Sequence, residues 1–133
     1  MTKKIIEIKY SGIMDNECIN LCNALNEIKG IQTIESCCGH GDESFSIWVK
    51  LCKNHFENLH IIARALCSRY GGFNNWTCSA YCNDIYTRGE LSFELCSNNV
   101  KGEEAYLQAN KIADNIRYLF THKNYKIAFN IST

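Results

Sequence analysis

The sequence contains no proline and no low-complexity tract, so it offers nothing that resembles a linker between two domains. Its 133 residues fit the usual size of one domain and are enough to bury a core. No apolar run approaches the length of about 18 residues that spans a membrane. We therefore expect a single domain, residues 1–133, that is not embedded in a membrane.

Neither sign of charge dominates, because 14 Lys and Arg residues balance 14 Asp and Glu residues. A balanced chain has no overall field that attracts the phosphate backbone of a nucleic acid or an anionic membrane surface. The composition therefore argues against nucleic acid and membranes as partners.

Cysteine, in contrast, is abundant, and the chain has nine. An odd number cannot pair completely, and the charged start Met1-Thr2-Lys3-Lys4 is unlike the apolar core of a secretory signal. Most of the cysteines fall where the apolar periodicity places a core, in which a free thiol packs as a small hydrophobe. We therefore expect free thiols and a cytoplasmic location.

The pattern of apolar and polar residues predicts an α+β domain. Strands are expected at residues 3–10, 31–34, 45–51, 75–83, 90–96 and 127–131, and helices at about 16–28, 54–70 and 103–120. This order, β-α-β-β-α-β-β-α-β, predicts a two-layer sandwich of three helices on a mixed or antiparallel sheet of about six strands. The apolar stripe of the second helix is predicted to include Phe56 and Tyr70.

Trp48 is predicted to lie on the sheet face away from the helices, because its neighbours Ile47 and Val49 point toward them. An aromatic side chain in that position needs cover, which a second copy of the chain or a bound ligand provides. The position therefore predicts a homodimer or a higher homo-oligomer, with ligand cover as the alternative.

The strongest functional feature is the segment Ser36-Cys37-Cys38-Gly39-His40-Gly41, which follows a predicted strand. Glycines at 39 and 41 permit positive φ angles, so successive backbone N–H groups can turn to one side and form a concavity that binds anions. His40 adds a group that titrates near neutral pH. The alternative is a tight turn in which the glycines only reverse the chain.

The run Thr33-Ile34-Glu35-Ser36-Cys37-Cys38-Gly39-His40 resembles small phage and bacterial proteins that share a Ser-Cys-Cys-Gly-His-Gly core. More distantly, Ser36, Cys37 and Gly39 are similar to the Ser-Cys-Ser-Gly-Arg segment of the tRNA wybutosine-synthesis methyltransferases, and His40 stands where that family has Arg. In that family the segment belongs to the active region, and S-adenosylmethionine is the methyl donor. The resemblance implies a similar fold and pocket location.

Aromatic and basic residues elsewhere extend the predicted site. Aromatic rings stack on bases, and an Arg pairs with a phosphate through two hydrogen bonds, so such residues beside a glycine loop suit a nucleotide. For Trp76, a place in the core is the alternative. The predicted ligand-binding residues are Ser36, Cys38, Gly39, His40, Gly41, Trp48, Trp76, Tyr86 and Arg88.

Metal binding and thiol catalysis are the other chemistries that this loop allows. The chain has no Cys-x-x-Cys knuckle of the kind found in structural zinc sites, and adjacent Cys37 and Cys38 on a strand would point apart. A nucleophilic thiol beside His40 needs a third, orienting residue, and the sequence identifies none. We therefore predict no metal, no cofactor and no catalytic residue, with enzyme activity left open.

Abundant Lys, Asn and Ile are typical of an AT-rich genome such as that of a phage. Together with the loop, this leads to the hypothesis of a binding module that holds a nucleotide-derived small molecule and sequesters a host immune signalling nucleotide. The alternatives are an S-adenosylmethionine-dependent transferase, another small enzyme that uses the loop, and a protein-interaction domain.

Overall fold

A computed structural model describes residues 14–81 and 90–119. Within these ranges the chain forms three α-helices and four β-strands, which confirms the predicted α+β class. In chain order they are α1 (Asn16–Glu27), β1 (Ile31–Cys37), β2 (Ser44–Leu51), α2 (Leu59–Leu66), β3 (Thr77–Tyr81), β4 (Ser92–Lys101) and α3 (Gly102–Tyr118). Short 3₁₀ turns cover Gly39–Gly41, Lys53–Asn58 and Ser68–Tyr70.

The four strands form one antiparallel sheet in the order β1-β2-β4-β3. β1 and β2 are a hairpin whose register pairs Cys37 with Ser46 and Ile31 with Leu51. The loop at 36–41 therefore lies at one end of the sheet, and Leu51 lies at the other. The predicted strands at 3–10 and 127–131 lie outside the described residues, so the six-stranded order stays a prediction.

The helices pack on one face of the sheet, because alternate strand residues meet the buried helix residues in a single core. Phe45, Ile47 and Val49 of β2 are fully buried, whereas Trp48 between them is half-buried on the other face. Burial of each such large apolar side chain stabilises the fold by roughly 1.5–3 kcal/mol. The helix residues of this core include Cys18, Leu21, Cys22, Leu25, Ala109, Ile112 and Ile116.

The second helix differs from its prediction. The sequence predicts one helix over 54–70, but Lys53–Asn58 forms a 3₁₀ turn and α2 covers only Leu59–Leu66. A 3₁₀ turn has three residues per turn, so it shifts the phase of the apolar stripe that follows. Phe56 lies inside this turn and Tyr70 lies in the 3₁₀ turn after α2, so neither belongs to the helical stripe on which it is predicted, and they are 55% and 52% exposed.

The third helix, α3, is amphipathic and begins one residue before its predicted start. Ala105, Ala109, Ile112 and Ile116 point into the core at the spacing of a helix that is buried on one side. Across residues 14–81 and 90–119, no helix has the length and apolar character needed to cross a membrane.

Candidate functional site

The turn between β1 and β2 holds three successive residues at positive φ: Gly39 at 83°, His40 at 52° and Gly41 at 87°. This conformation costs an L-residue such as His40 roughly 1–2 kcal/mol. At position 39 it also requires glycine, because a Cβ there would lie 2.8 Å from the carbonyl oxygen of Ser44. His40 is the non-glycine residue of the three, so it is the position at which the loop departs from ordinary turn geometry.

The loop directs its backbone N–H groups toward its own sulfurs and carbonyls. The Gly39 N–H donates to Cys37 Sγ at 3.4 Å, and the His40 N–H donates to Cys38 Sγ at 3.4 Å. The two residues after Gly41 both donate to the Gly39 carbonyl at 3.0 Å. Since these N–H groups are engaged within the loop, an anion bound here would depend mainly on side chains.

Asp15 reaches the loop from the start of α1. Its Oδ2 accepts a 3.1 Å hydrogen bond from the Cys38 N–H and lies 3.8 Å from His40 Nε2. Asp15 occupies the N-cap position of α1 but makes no side-chain capping bond, so its carboxylate serves the loop instead of the helix. No local sequence pattern connects Asp15 with the loop, because its partner Cys38 lies 23 positions away.

Cys38 lies beneath the loop and connects its side chains. Its Sγ is 3.8 Å from His40 Nδ1 and 3.8 Å from the Tyr106 hydroxyl, which donates to it. Burial raises the pKa of the Cys38 thiol and outweighs the His40 N–H, which lowers it, while Asp15 raises it further. With 3% exposure and a protonated thiol, Cys38 is suited to support the loop and poorly suited to attack a substrate.

Tyr106 is the contribution of α3 to the site. Its hydrogen bond to Cys38 is the main reason that the pKa of Tyr106 rises to about 12. Its ring lies edge-on to Phe45, with 6.3 Å between the ring centroids. Tyr106 thus links the loop to the core.

Ser36, a predicted ligand residue, faces the helix layer. It pairs with the core residue Ile47 on β2, and its hydroxyl lowers the pKa of the buried thiols of Cys18 and Cys22 in α1. Burial raises the pKa of both thiols, that of Cys22 to about 12, and Ser36 offsets only part of this shift. These cysteines are free and packed in the core, as the sequence predicts.

The two tryptophans of the predicted site lie on opposite faces of the sheet. Trp76 is 5% exposed, and its indole N–H donates a 2.8 Å hydrogen bond to Gln108 in the core. Trp48 lies on the other face, where Glu35 and Glu94 are its partners on the neighbouring strands. A single small molecule therefore cannot stack on both rings.

Tyr86 and Arg88, the other two predicted ligand residues, lie outside the described residues. The described part of β3 ends at Tyr81, which pairs with Ser92 at the start of β4. Ser92 also pairs with Lys50, at the sheet end away from the 36–41 loop. The participation of Tyr86 and Arg88 in the site stays a prediction.

Two clefts lie apart from the loop. One, of about 570 Å³, is at the far end of β2, where Lys50 and Glu90 form a 2.8 Å ion pair on its wall. The other, of about 290 Å³, lies between α2 and α3 and is lined by residues such as Tyr70 and Asn115. Neither cleft is lined by the predicted loop residues, so both are competing positions for a ligand.

Acidic residues lie in the loop and at the starts of α1 and α3. The start of α3 approaches it closely, since a Cβ on Gly102 would come within 3.9 Å of Gly41 Cα. Acidic groups near an exposed imidazole attract cations and repel an isolated phosphate, so an anionic ligand needs a counter-charge here. The acidic residues in the loop and at the starts of α1 and α3 are Asp15, Glu17, Asp42, Glu43, Glu103 and Glu104.

Asp15, Cys37 and His40 bring an oxygen, a sulfur and a nitrogen together. Among the described residues, these are the three potential metal ligands whose atoms all lie within 4.8 Å of one another. The site therefore has the groups to bind a cation and to accept hydrogen bonds through Asp15.

No protein-family model, curated protein or solved structure matches this chain. The similarity of residues 33–40 to phage and bacterial proteins and to the wybutosine-synthesis methyltransferases therefore stays a prediction. Function is argued below from the geometry of the site.

Proposed function

We propose that this protein is a binding module that holds a nucleotide-derived small molecule at the 36–41 loop, together with Asp15 and Tyr106. The observation that carries the proposal is the run of three left-handed residues at 39–41, which presents the His40 side chain at 69% exposure beside Asp15. The left-handed conformation is unfavourable at His40 but not at the two glycines, and a strained non-glycine residue in a loop is a reason to propose a function there.

The chemistry of the loop supports a ligand that has both hydrogen-bond donors and a limited negative charge. Asp15 can accept from the amino group of a base or from a ribose hydroxyl, and His40 can donate to a phosphate. The carboxylates of Asp42 and Glu43 oppose a ligand with several unshielded phosphates. A nucleotide with one or two phosphates, or a cyclic one, fits these conditions better than a triphosphate.

Binding without conversion is supported by Cys38, whose protonated, buried thiol is a poor nucleophile. We extend the proposal to a cytoplasmic phage protein that sequesters a host immune signalling nucleotide, since sequestration requires only binding. We also propose a homodimer that covers the face bearing Trp48. Both extensions have their support in the sequence pattern.

The test begins with native mass spectrometry of the protein from its expression host, which would reveal a retained ligand. Calorimetric titration with cyclic, mono- and dinucleotides and with S-adenosylmethionine follows. We expect binding that His40→Ala weakens at least tenfold, about 1.4 kcal/mol, while His60→Ala, in α2, leaves it unchanged. The bound ligand should be recovered unaltered after hours of incubation. Absence of binding across the panel, or full binding by His40→Ala, would contradict the proposal.

A small enzyme is the second candidate, and one observation favours it. The His40 ring lies between a thiol and a carboxylate: its Nδ1 is 3.8 Å from Cys38 Sγ, and its Nε2 is 3.8 Å from Asp15 Oδ2. This is the spatial order of a thiol–imidazole–carboxylate triad. Asp15 thus supplies the third residue that the sequence does not identify. Burial of Cys38 places this candidate second. The enzyme would become the better candidate if the protein turned over a bound nucleotide, or transferred a methyl group from S-adenosylmethionine, and if Cys38→Ala abolished that activity.

A further inference from the structure

We propose that Asp15, Cys37 and His40 bind a divalent transition-metal ion of the zinc type. Their ligand atoms lie within 4.8 Å of one another, and Asp15 Oδ2 and His40 Nε2 are 3.8 Å apart. Zinc binds such atoms at about 2.0–2.3 Å, which places tetrahedral ligands roughly 3.3–3.8 Å from each other. A contraction of about one ångström therefore closes the site around an ion.

The donor set suits a borderline-soft metal ion. A thiolate sulfur, an imidazole nitrogen and a carboxylate oxygen are all ligands that zinc accepts. The thiolate of Cys37 and the carboxylate of Asp15 together neutralise a doubly charged ion. Three protein ligands leave a fourth position for water or for a bound molecule.

The groups around the three ligands already have the arrangement that supports a metal. The Gly39 N–H donates to Cys37 Sγ at 3.4 Å, and a hydrogen bond of this kind stabilises a thiolate. With Nε2 of His40 toward Asp15, its Nδ1 lies 3.8 Å from Cys38 Sγ. A metal-bound imidazole is held by such a contact at its other nitrogen.

The absence of a Cys-x-x-Cys knuckle does not exclude this site, because its third ligand comes from outside the motif. Cys37 and His40 belong to one loop, whereas Asp15 arrives from α1. The two adjacent cysteines have different roles. Cys37 is one of the three ligands, whereas the buried Cys38 contacts the His40 ring and is not a ligand.

The inference also deepens the proposed function, and in this respect it rests on that function. An ion at Asp15, Cys37 and His40 would contact the phosphate in place of the His40 N–H and would supply the positive charge that a phosphate needs beside the carboxylates of the loop. Metal binding by the chain alone does not depend on any nucleotide, so the two proposals can be tested separately.

The first measurement uses the metal alone. Protein stripped with a chelator is titrated with Zn²⁺ against a chromophoric competitor, and with Co²⁺ by absorption spectroscopy. We expect one ion per chain and a thiolate-to-cobalt charge-transfer band. Cys37→Ser should remove that band and weaken Zn²⁺ binding at least tenfold, whereas Cys67→Ser, at an exposed cysteine outside the cluster, should change neither.

The other ligands are tested with near-isosteric variants. Asp15→Asn and His40→Gln should each weaken Zn²⁺ binding at least tenfold, with Asp114→Asn, on the exposed side of α3, as the control. Cys38→Ala, which removes a supporting contact, should weaken it by about 10–100-fold. If circular dichroism shows that a variant does not fold, the cobalt spectrum of the unaltered protein still tests whether a thiolate binds the metal. A spectrum without thiolate ligation, or Zn²⁺ affinity unchanged in folded Cys37→Ser and Asp15→Asn, would overturn the inference.

Nucleotide titrations with and without chelator separate the two proposals. Zn²⁺ binding with no nucleotide binding leaves the metal site standing and removes the proposed function. Nucleotide binding that is insensitive to chelator, together with no cobalt–thiolate band, supports the proposed function and contradicts the metal site. Nucleotide affinity that falls at least tenfold on chelation supports both.

Discussion

The backbone N–H of Cys38 donates a 3.1 Å hydrogen bond to the Asp15 carboxylate, which joins the start of α1 to the β1–β2 turn. The same carboxylate oxygen lies 3.8 Å from the His40 ring. Asp15 therefore has two separable functions. Its oxygen accepts a bond that holds the loop, and its charge faces the imidazole.

Two substitutions of Asp15 should separate these functions. Asp15→Asn keeps an oxygen acceptor, so we expect the free energy of unfolding to fall by less than about 1 kcal/mol; Asp15→Ala leaves the Cys38 N–H unpaired and should cost about 1–3 kcal/mol. Both remove the charge and should weaken ligand and metal binding alike. Urea denaturation and calorimetry measure the two effects. Full binding by Asp15→Asn would show that the charge has no part in the site.

Gly39 and Gly41 should respond differently to alanine, although both have φ near 85°. A Cβ at Gly39 would meet the Ser44 carbonyl at 2.8 Å, whereas a Cβ at Gly41 has nothing within 4 Å. We expect Gly41→Ala to cost about 1–2 kcal/mol from backbone strain alone, and Gly39→Ala to cost more because of the added clash. Thermal and urea unfolding measure the difference. Equal effects would mean that the loop adjusts freely around position 39.

Alkaline pH should destabilise the fold through Cys22. Burial raises the pKa of this thiol from 9.0 to about 12. The thiol of the unfolded chain therefore loses its proton at a lower pH than the thiol of the folded protein. The contribution of the protonated thiol to the free energy of unfolding is fully present below pH 9 and is lost as pH rises toward 12. The loss is no more than about 1.4 kcal/mol per pH unit. In Cys22→Ala the free energy of unfolding should fall less steeply over this range. Identical slopes in the two proteins would contradict the assignment to Cys22.

The cysteines should differ in their reaction with iodoacetamide. Cys52 and Cys67 are exposed and should be labelled quickly in the native protein, whereas Cys18, Cys22 and Cys38 are buried and should be protected until the protein unfolds. Peptide mass spectrometry after timed labelling measures each site. Labelling of Cys38 as fast as Cys67 would reveal an accessible thiol and favour the enzyme over the binding module.

The helices α1 and α3 and the approximate positions of the four described strands could be predicted from the sequence, because most of their residues follow one period. Two strand ends are predicted too early, since β1 extends to Cys37 past a register shift between Thr33 and Glu35, and β4 extends to Lys101. Ile47 and Val49 alternate with Trp48, and Cys18, Leu21 and Cys22 recur at helical spacing. The bounds of the second helix could not be predicted, since residues 53–58 form a 3₁₀ turn in which Phe56 is exposed. The spacing of apolar residues predicts the buried face of a helix only while the number of residues per turn stays constant.

The loop of the candidate site could be found from its glycines and His40, but the residues that complete it could not. Asp15 and Tyr106 contact Cys38 from 23 and 68 positions away, and no local pattern reports such contacts. In the same way, the sequence pattern around a tryptophan next to a strand is the same whether the ring stacks on a ligand or packs in the core. Gln108, which holds Trp76 in the core, lies 32 positions further on.

The position of the ligand is tested most directly by amide chemical-shift mapping of the ¹⁵N-labelled protein during titration with the nucleotide panel, with and without Zn²⁺. The binding module described above predicts saturable shifts concentrated at Asp15, at residues 36–41 and at the start of α3 near Tyr106. Shifts centred on the distant cleft at Lys50 and Glu90, or no shifts with any nucleotide in either condition, would contradict it.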